Sequence, residues 1–341
     1  MDRIARAAQE RAELCRETAN RRNLADSIVE KDFWVCWTLS KLFEEREKLP
    51  SLLFKGGTSL SKVFGVINRF SEDVDLSLDP HDFGFRDERD PANAPSGKKA
   101  ERLLDQLEGE TISYLRDRLV PDLKSIFVEV LGDSSPWSLE IDSEQHLLVI
   151  FSYPPIPSTV DPPSSSHIEP AVRLEFGARS DHWPAQFYEI RPYAAEEFPD
   201  SFGRAVSSVN TLEAERTFWE KATILHAEYH REGKASGNER ISRHYYDLAM
   251  LALSEIRGRA LRDLNLLTAV AEHKRRFFRA AWARYEQARP GTLRLVPHDR
   301  LASELRRDYR KMSEMFFDDA PDFDILLQTL SELERDINRA I

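Results

Sequence analysis

The chain has very little cysteine: Cys15 and Cys36 are the only two in 341 residues. They give neither a metal-ligand spacing nor a disulfide framework, which sets aside the stapled secreted scaffolds. Long apolar runs are missing as well, and nothing approaches the roughly twenty residues that cross a bilayer. There is no collagen-like, low-complexity or long disordered composition. The opening MDRIARAAQERAELC is charged and amphipathic, unlike an apolar signal segment. The expectation from these absences is a cytoplasmic protein with no membrane partner.

What is present suffices for a large packed core. Hydrophobic residues make up 41% and aromatics 10%, and the length favours two domains, or one with a large appendage. Net charge is −11, which on its own disfavours a nucleic-acid partner. The average conceals an asymmetry: Arg257 to Lys311 holds fifteen Lys/Arg against six Asp/Glu, a local +9, so the remainder carries −20. A basic region on an acidic protein can hold a polyanion at one place. Solvated faces of Arg-rich helices would give the same count.

Apolar spacing predicts helices over 1–22 and 26–48, a short buried strand at Leu52–Phe54, a helix from Thr58 to about Phe64, and a strand at Val74–Leu78. The polar segment Asp79–Lys98 reads as a surface loop and Lys98–Val120 as a helix. Strand-like runs follow at SIFVEVLG, HLLVIFSY, AVRLEFG and FYEIRPY, interrupted by the loop PPIPSTVDPPSSSHIEP. After about Ser207 the pattern turns helical, over 211–231, 240–254, 259–287, 300–317 and 322–340, with loops REGKASGN and ARPGTLRLVP and no further strand. This predicts an α+β fold: a mixed-sheet domain over 1–207 with N-terminal helices, then an all-helical domain over 208–341.

The densest chemistry lies in FKGGTSLSKVFGVINRFSEDVDLSL, Phe54 to Leu78. A helix opening at Gly56-Gly57 offers free backbone N–H groups and the positive end of its dipole, which suits a phosphate. Asp73 and Asp75, two apart on a strand, point to one face, and adjacent carboxylates repel unless a cation sits between them. A phosphate cradle beside a cation clamp is the minimum equipment for nucleotidyl transfer. An isolated D-x-D is more often a strand end or an Asx turn; the glycine turn before this one shifts the balance.

A third carboxylate would complete such a site. Glu175 in VRLEF is the preferred candidate, because Val172, Leu174 and Phe176 alternate as core positions and leave Glu175 on the opposite face with Arg173. Glu129 and Glu140 are rivals on similar grounds, and an exposed strand glutamate is the ordinary alternative. Lys221 falls within the apolar stripe of Phe218, Ala222, Leu225 and Tyr229, where an ammonium is costly without an anion, unless it snorkels from the stripe's edge. Asp247, with Arg243 and His244 on adjacent turns, could hold Lys221 or Arg243. His226 and His230 have i, i+4 spacing but no third ligand, and read as ordinary polar positions. The aromatics of KRRFFRAAWARYEQA could stack on bases beside Lys274, Arg275, Arg276 and Arg279, although Phe278, Trp282 and Tyr285 at helical spacing read more simply as core.

Taken together, KGGTSLSK, RFSEDVDLSL, VRLEF, ERTFWEKATILH and SRHYYDLAML resemble the AbiEii/AbiGii nucleotidyltransferase toxin family, which includes the MenT-type toxins. The likeness runs from EKDFWVCWTL (Glu30–Leu39) to the helical C-terminus, with several motifs in order. It implies the DNA-polymerase-β-like nucleotidyltransferase superfold. It also implies a phosphate-binding turn at Gly56, Gly57 and Thr58, with Lys55, Ser59 and Lys62 nearby, and metal ligands at Asp73, Asp75 and Glu175. Lys221 matches the family's lysine near the nucleotide phosphates, and Asp247 its distal aspartate. The superfold usually has Gly-Ser where this chain has Gly56-Gly57, so Thr58 or Ser59 must supply any hydroxyl.

The implied reaction is Mg²⁺- or Mn²⁺-dependent transfer of NMP from an NTP to an RNA acceptor, a tRNA 3′ end, with pyrophosphate released. Asp73, Asp75, Lys221 and Asp247 would be the catalytic set, and Arg243, Lys274, Arg275, Arg276 and Arg279 would dock the RNA. A toxin implies a cognate antitoxin. Two other readings remain open: an NTP-dependent phosphotransferase acting on protein, with Ser71 as a candidate acceptor, and a catalytically silent nucleotide-binding partner protein.

Overall fold

The computed structural model describes residues 1–44, 51–71, 73–133, 136–156, 169–203, 206–231, 240–317 and 319–340. Residues 45–48 of the expected second helix, and the loop positions 157–168 and 232–239, lie outside them. Two compact units emerge. One comprises Met1–Val63, Phe70–Arg86 and Asp105–Thr211; the other comprises Phe64–Arg69, Asp87–Leu104 and Leu212–Ile341.

The first unit is built on helices α1 (Asp2–Arg6), α2 (Ala8–Arg22) and α3 (Asp26–Glu44), then strand β1 (Leu52–Lys55), helix α4 (Gly56–Lys62) and strand β2 (Asp73–Leu78). Helix α5 (Gly97–Tyr114), of which residues 105–114 belong to this unit, and helix α6 (Val120–Leu131) precede strands β3 (Ser138–Ile141), β4 (Leu148–Ser152), β5 (Ala171–Gly177) and β6 (Ala185–Ile190). The short helices α7 (Tyr193–Glu197) and α8 (Pro199–Phe202) lead to strand β7 (Ser207–Leu212). The strands form one mixed sheet in the order β3-β4-β5-β2-β1-β7-β6. β1 and β2 are antiparallel, while β2–β5 and β1–β7 are parallel. The core is aromatic: Trp34 and Trp37, one helical turn apart on α3, pack with Phe127, Phe151 and Tyr153 at centroid distances of 4.6–5.7 Å. Such rings bury large apolar areas; Trp34 meets Phe151 edge-on and stacks on Tyr153, while Trp37 is tilted against Phe127 and Phe151.

Two elements differ from the sequence expectation. SIFVEVLG is helix α6, not a strand. Leu123, Phe127 and Val130 are its buried positions, spaced i, i+4, i+7, so the helical period prevails over a β-rich composition. A wider π-type turn at Leu115–Leu119 joins α5 to α6 just before Pro121, which lacks the N–H a regular turn would use. Second, Ser207–Leu212 is a strand rather than the start of a helix. Its Ser, Asn and Thr side chains gave no hydrophobic signal, yet Val209 and Thr211 are buried and Thr211 pairs with Phe54.

The second unit contains helices α9 (Ala214–His230), α10 (Ser242–Leu253), α11 (Glu255–Arg262), α12 (Leu264–Phe277), α13 (Asp299–Lys311) and α14 (Phe323–Arg339). The single helix expected over 259–287 is divided, because the Asp263 side chain accepts from the Leu266 N–H and starts α12 afresh. With α12 ending at Phe277, Phe278 and Trp282 leave its apolar face and are exposed. They are therefore not core, and the Trp282 ring lies 3.8 Å from the Arg231 guanidinium.

Candidate active site

Register places the carboxylates of the first unit. Lys55 on β1 pairs with Asp75 on β2, and Asp75 pairs with Glu175 on β5, so the three form one row across the sheet. Directly paired residues share a face. One step along, Asp73 pairs with Arg173, whose Nε lies 3.3 Å from Asp73 Oδ1. On both central strands the odd positions Asp73, Asp75, Arg173 and Glu175 are half-exposed, while Val74, Leu76, Val172, Leu174 and Phe176 are buried. Glu129 lies exposed on α6, and Glu140 lies on β3, two strands further from β2 than β5 is. Glu175 alone of the three rivals stands next to Asp75.

The glycine turn is fitted to this row. Gly56 has φ +77°, and a Cβ built on it would lie 1.8 Å from Asp75 Oδ2; only glycine permits that approach. The turn's hydroxyls are already committed. Thr58 Oγ1 donates to the Asp73 carbonyl, and Ser59 Oγ donates to the Gly56 carbonyl at 2.8 Å. They tie turn to acid strand instead of offering free donors. Lys62 is buried with its Nζ 2.6 Å from Asp32 Oδ1 and 3.8 Å from the Tyr193 ring centroid. Burial works against its charge, but Asp32 outweighs that and holds the lysine pKa above the ordinary value. Asp32 also accepts from the Tyr193 N–H at 2.6 Å, so the Lys62–Asp32 pair anchors α4 to α3 and α7.

Among the described residues no three His, Cys, Asp or Glu side chains are gathered into a ready metal site. The donor set nevertheless suits a hard divalent cation: three carboxylates, all oxygen donors, on one half-exposed face. The glycine at position 56 leaves Asp75 the room such a role needs.

In the second unit Lys221 is buried on α9, as its place in the Phe218–Leu225 stripe requires. Its Nζ lies 2.8 Å from Asp247 Oδ2 and 3.0 Å from His244 Nδ1. Asp247 is fully buried, and Arg69 grips both its oxygens, Nε to Oδ1 at 2.8 Å and Nη2 to Oδ2 at 2.9 Å. Burial alone would raise the Asp247 pKa, but Arg69 and Lys221 outweigh it and hold the carboxyl well below the usual range. Burial, with the Lys221 charge beside it, pushes His244 well below the ordinary imidazole value. His244 is therefore neutral and accepts from Lys221. Asp247 is thus a holder of cations and is poorly suited to accepting a proton.

The basic segment is less bare than its charge count suggests. Arg275 and Arg276 both bind Glu272, Lys274 donates to the Glu220 carbonyl, and Arg279 donates to the Gly97 carbonyl. Arg257, Arg259 and Arg306 pair with Asp336, Glu215 and Asp324. His226 is a core histidine: Nε2 donates to the Arg284 carbonyl and Nδ1 accepts from the Arg294 N–H, each at 3.1 Å. Sequence reasoning put Arg173 on the face of Glu175 but did not foresee its contact with Asp73, and it missed Arg69 and Asp32. Nothing local links those two to Asp247 and Lys62.

A mixed sheet carrying a carboxylate row beside a glycine turn is the equipment of a nucleotidyltransferase. Residues 37–329 match the family model described as "Nucleotidyl transferase AbiEii toxin, Type IV TA system". The chain belongs to the AbiEii family and is a nucleotidyltransferase toxin of the type IV toxin–antitoxin class. Among solved structures it is similar to MenT4, a nucleotidyltransferase toxin from Mycobacterium tuberculosis H37Rv, at 15% identity over 97% of each chain with a TM-score of 0.43. No curated protein sequence matches it. Among the described residues no helix is long and apolar enough to cross a membrane.

Proposed function

We propose that the enzyme transfers NMP from an NTP to an RNA 3′ end, with tRNA as the acceptor class, in the cytoplasm. The observation that carries this reading is the Lys55–Asp75–Glu175 row with Asp73 one step along it. Asp73, Asp75 and Glu175 would hold Mg²⁺ or Mn²⁺, which when bound lowers the pKa of the attacking hydroxyl and neutralises charge on the triphosphate. The same carboxylates can take the hydroxyl proton. Arg173 offsets their mutual repulsion while it rests on Asp73. Lys55 and the backbone N–H groups of the Gly56–Ser59 turn would meet phosphate oxygens, and Lys221 would stabilise charge developing there. Asp247 positions Lys221, and Lys62 positions α4. The tRNA acceptor and a cognate antitoxin follow from the family likeness, and the +9 of 257–311 supports a polyanionic partner.

The test is incubation of purified protein with total RNA and NTP labelled at the α or the γ phosphate. The expected result is α-label on RNA, reduced at least about a thousandfold by Asp73→Ala or Asp75→Ala. Retention of γ-label on protein would establish phosphotransfer instead. Wild-type transfer rates in either variant would sink the metal-site assignment.

A further inference from the structure

Where α12 ends, the chain sets two large aromatic side chains in solvent: Phe278 is 42% exposed and Trp282 38%. Phe278 closes the helix, its N–H donating to the Lys274 carbonyl at 2.8 Å, and its ring lies 6.2 Å from that of His273, centroid to centroid. Trp282 sits in a tight turn, Ala281–Ala283, whose Ala283 is fully buried and anchors it. Single exposed apolar side chains are ordinary on a protein surface. Two large rings four positions apart, in a run that is otherwise cationic, are not. From Lys274 to Arg284 the chain has five Lys/Arg and no Asp/Glu.

The tryptophan is ordered before any ligand arrives. The Arg231 guanidinium lies over the Trp282 ring, 3.8 Å from its centroid. Glu228 fixes that guanidinium with two bonds, Nε to Oε2 at 3.0 Å and Nη2 to Oε1 at 2.8 Å. One face of the indole is therefore backed by a held cation while the side chain stays open to solvent, which suits a flat π ligand. Arg279 is placed by Gly97 of the same unit. Its Nη1 donates to the Gly97 carbonyl at 2.9 Å, and a Cβ on residue 97 would stand 2.5 Å from its Nη2. A carbonyl carries no charge, and among the described residues Arg279 meets no carboxylate. Its charge is left for an anion.

We propose that Trp282 and Phe278 form a stacking platform for the unpaired bases of an RNA strand, with Arg279 on its phosphates. Bases supply the flat faces that the two rings match, and phosphates supply the negative charge that a run of cations without an acid calls for. An A-form duplex keeps its bases inside its own stack, so the platform favours single strands. That this strand is the acceptor rests on the nucleotidyl-transfer reading; the platform itself rests on the two rings and their cations.

The experiment measures fluorescence anisotropy of a labelled single-stranded oligocytidylate, about a dozen nucleotides long, on full-length protein, beside a blunt RNA duplex of equal length. Trp282→Ala should weaken single-strand binding at least about fivefold, the scale of one lost base stack, and leave duplex binding within about twofold of wild type. Phe278→Ala should act in the same direction. Trp282→Phe, which keeps a π-face, should stay within about threefold of wild type. The salt slope of log Kd should not change in these variants, whereas Arg279→Gln should lower it by about 0.7, one phosphate contact on a single strand. Circular dichroism confirms folding; should Trp282→Ala not fold, Phe278→Ala decides. Wild-type single-strand affinity in the folded alanine variants overturns the proposal, as does a loss that the duplex shares equally. Self-association that disappears in Trp282→Ala while strand binding is unchanged makes the patch a protein interface and overturns it too. Trp282-dependent strand binding in protein that transfers no α-label sinks the transfer reading and leaves the platform standing. Transfer to RNA at the wild-type rate in Trp282→Ala does the reverse.

Discussion

Asp75 and Asp247 are both aspartates assigned to the reaction, and the protein holds them in opposite ways. Asp75 is half-exposed on a strand, with Glu175 across the ladder and Asp73 two residues away on the same face. Asp247 is fully buried on a helix, gripped by Arg69 and Lys221. In the first setting negative charges crowd together; in the second one negative charge holds two positive ones. The first arrangement has Arg173 resting on Asp73 and suits an added divalent cation. The second would be strongly destabilised by loss of its carboxylate, which would leave two buried cations without it.

This contrast predicts opposite signs for similar changes. Asp247→Ala strands two buried cations and should cost about 3–5 kcal/mol, the scale for breaking a buried ion pair from one side. Asp75→Asn removes one of several neighbouring carboxylates. Its stability should stay level or rise by up to about 1 kcal/mol, while nucleotide transfer is lost. Urea unfolding of the two variants beside wild type checks both. A large loss of stability in Asp75→Asn would show that the carboxylate row is itself structural, and the comparison would collapse.

The same contrast explains what could be read from the chain. The row was legible because strand alternation is local: knowing that Val74 and Leu174 face the core fixes where Asp75 and Glu175 point. The buried ion set was legible only in part. The stripe Phe218–Leu225 put Lys221 inside, but Arg69 and Asp247 are 178 residues apart, and no periodicity joins them. The misread elements follow the same rule. SIFVEVLG has strand composition, and only its burial at Leu123, Phe127 and Val130 reveals a helix. SSVNTL is a strand because β1 offers it an edge, a fact its own residues do not carry.

His226 extends the comparison to a buried group of the second unit that is held by backbone groups. Both ring nitrogens are satisfied by backbone groups, and burial lowers its pKa from 6.5 to about 4. The folded pKa lies below the unfolded one, so the unfolded chain binds the proton more readily. This contribution is fully present above about pH 6.5 and is lost as pH falls towards 4; at about 1.4 kcal/mol per unit it amounts to at most about 3 kcal/mol. Unfolding midpoints at pH 7 and pH 4.5 should converge in His226→Gln relative to wild type. An unchanged pH slope in that variant would show that burial of such groups is not what makes the second unit acid-sensitive.

Gly56→Ala probes the first unit where its backbone, and not its charge, sets the site. The substitution forces an L-residue into φ +77° and brings a Cβ against Asp75 Oδ2. The backbone part should cost about 1–2 kcal/mol, the smallest stability loss of the series, because a half-exposed carboxylate can swing aside. Transfer should suffer more than stability does. A displacement of about 1 Å at a reacting centre can lower rates about a hundredfold, and the displaced group is the acid that pairs with both Lys55 and Glu175. Measuring Tm and α-label transfer on the same preparation separates the two effects. A variant that loses stability yet keeps full transfer would mean that Asp75 does not need the room Gly56 gives it, and the turn would then serve the fold alone.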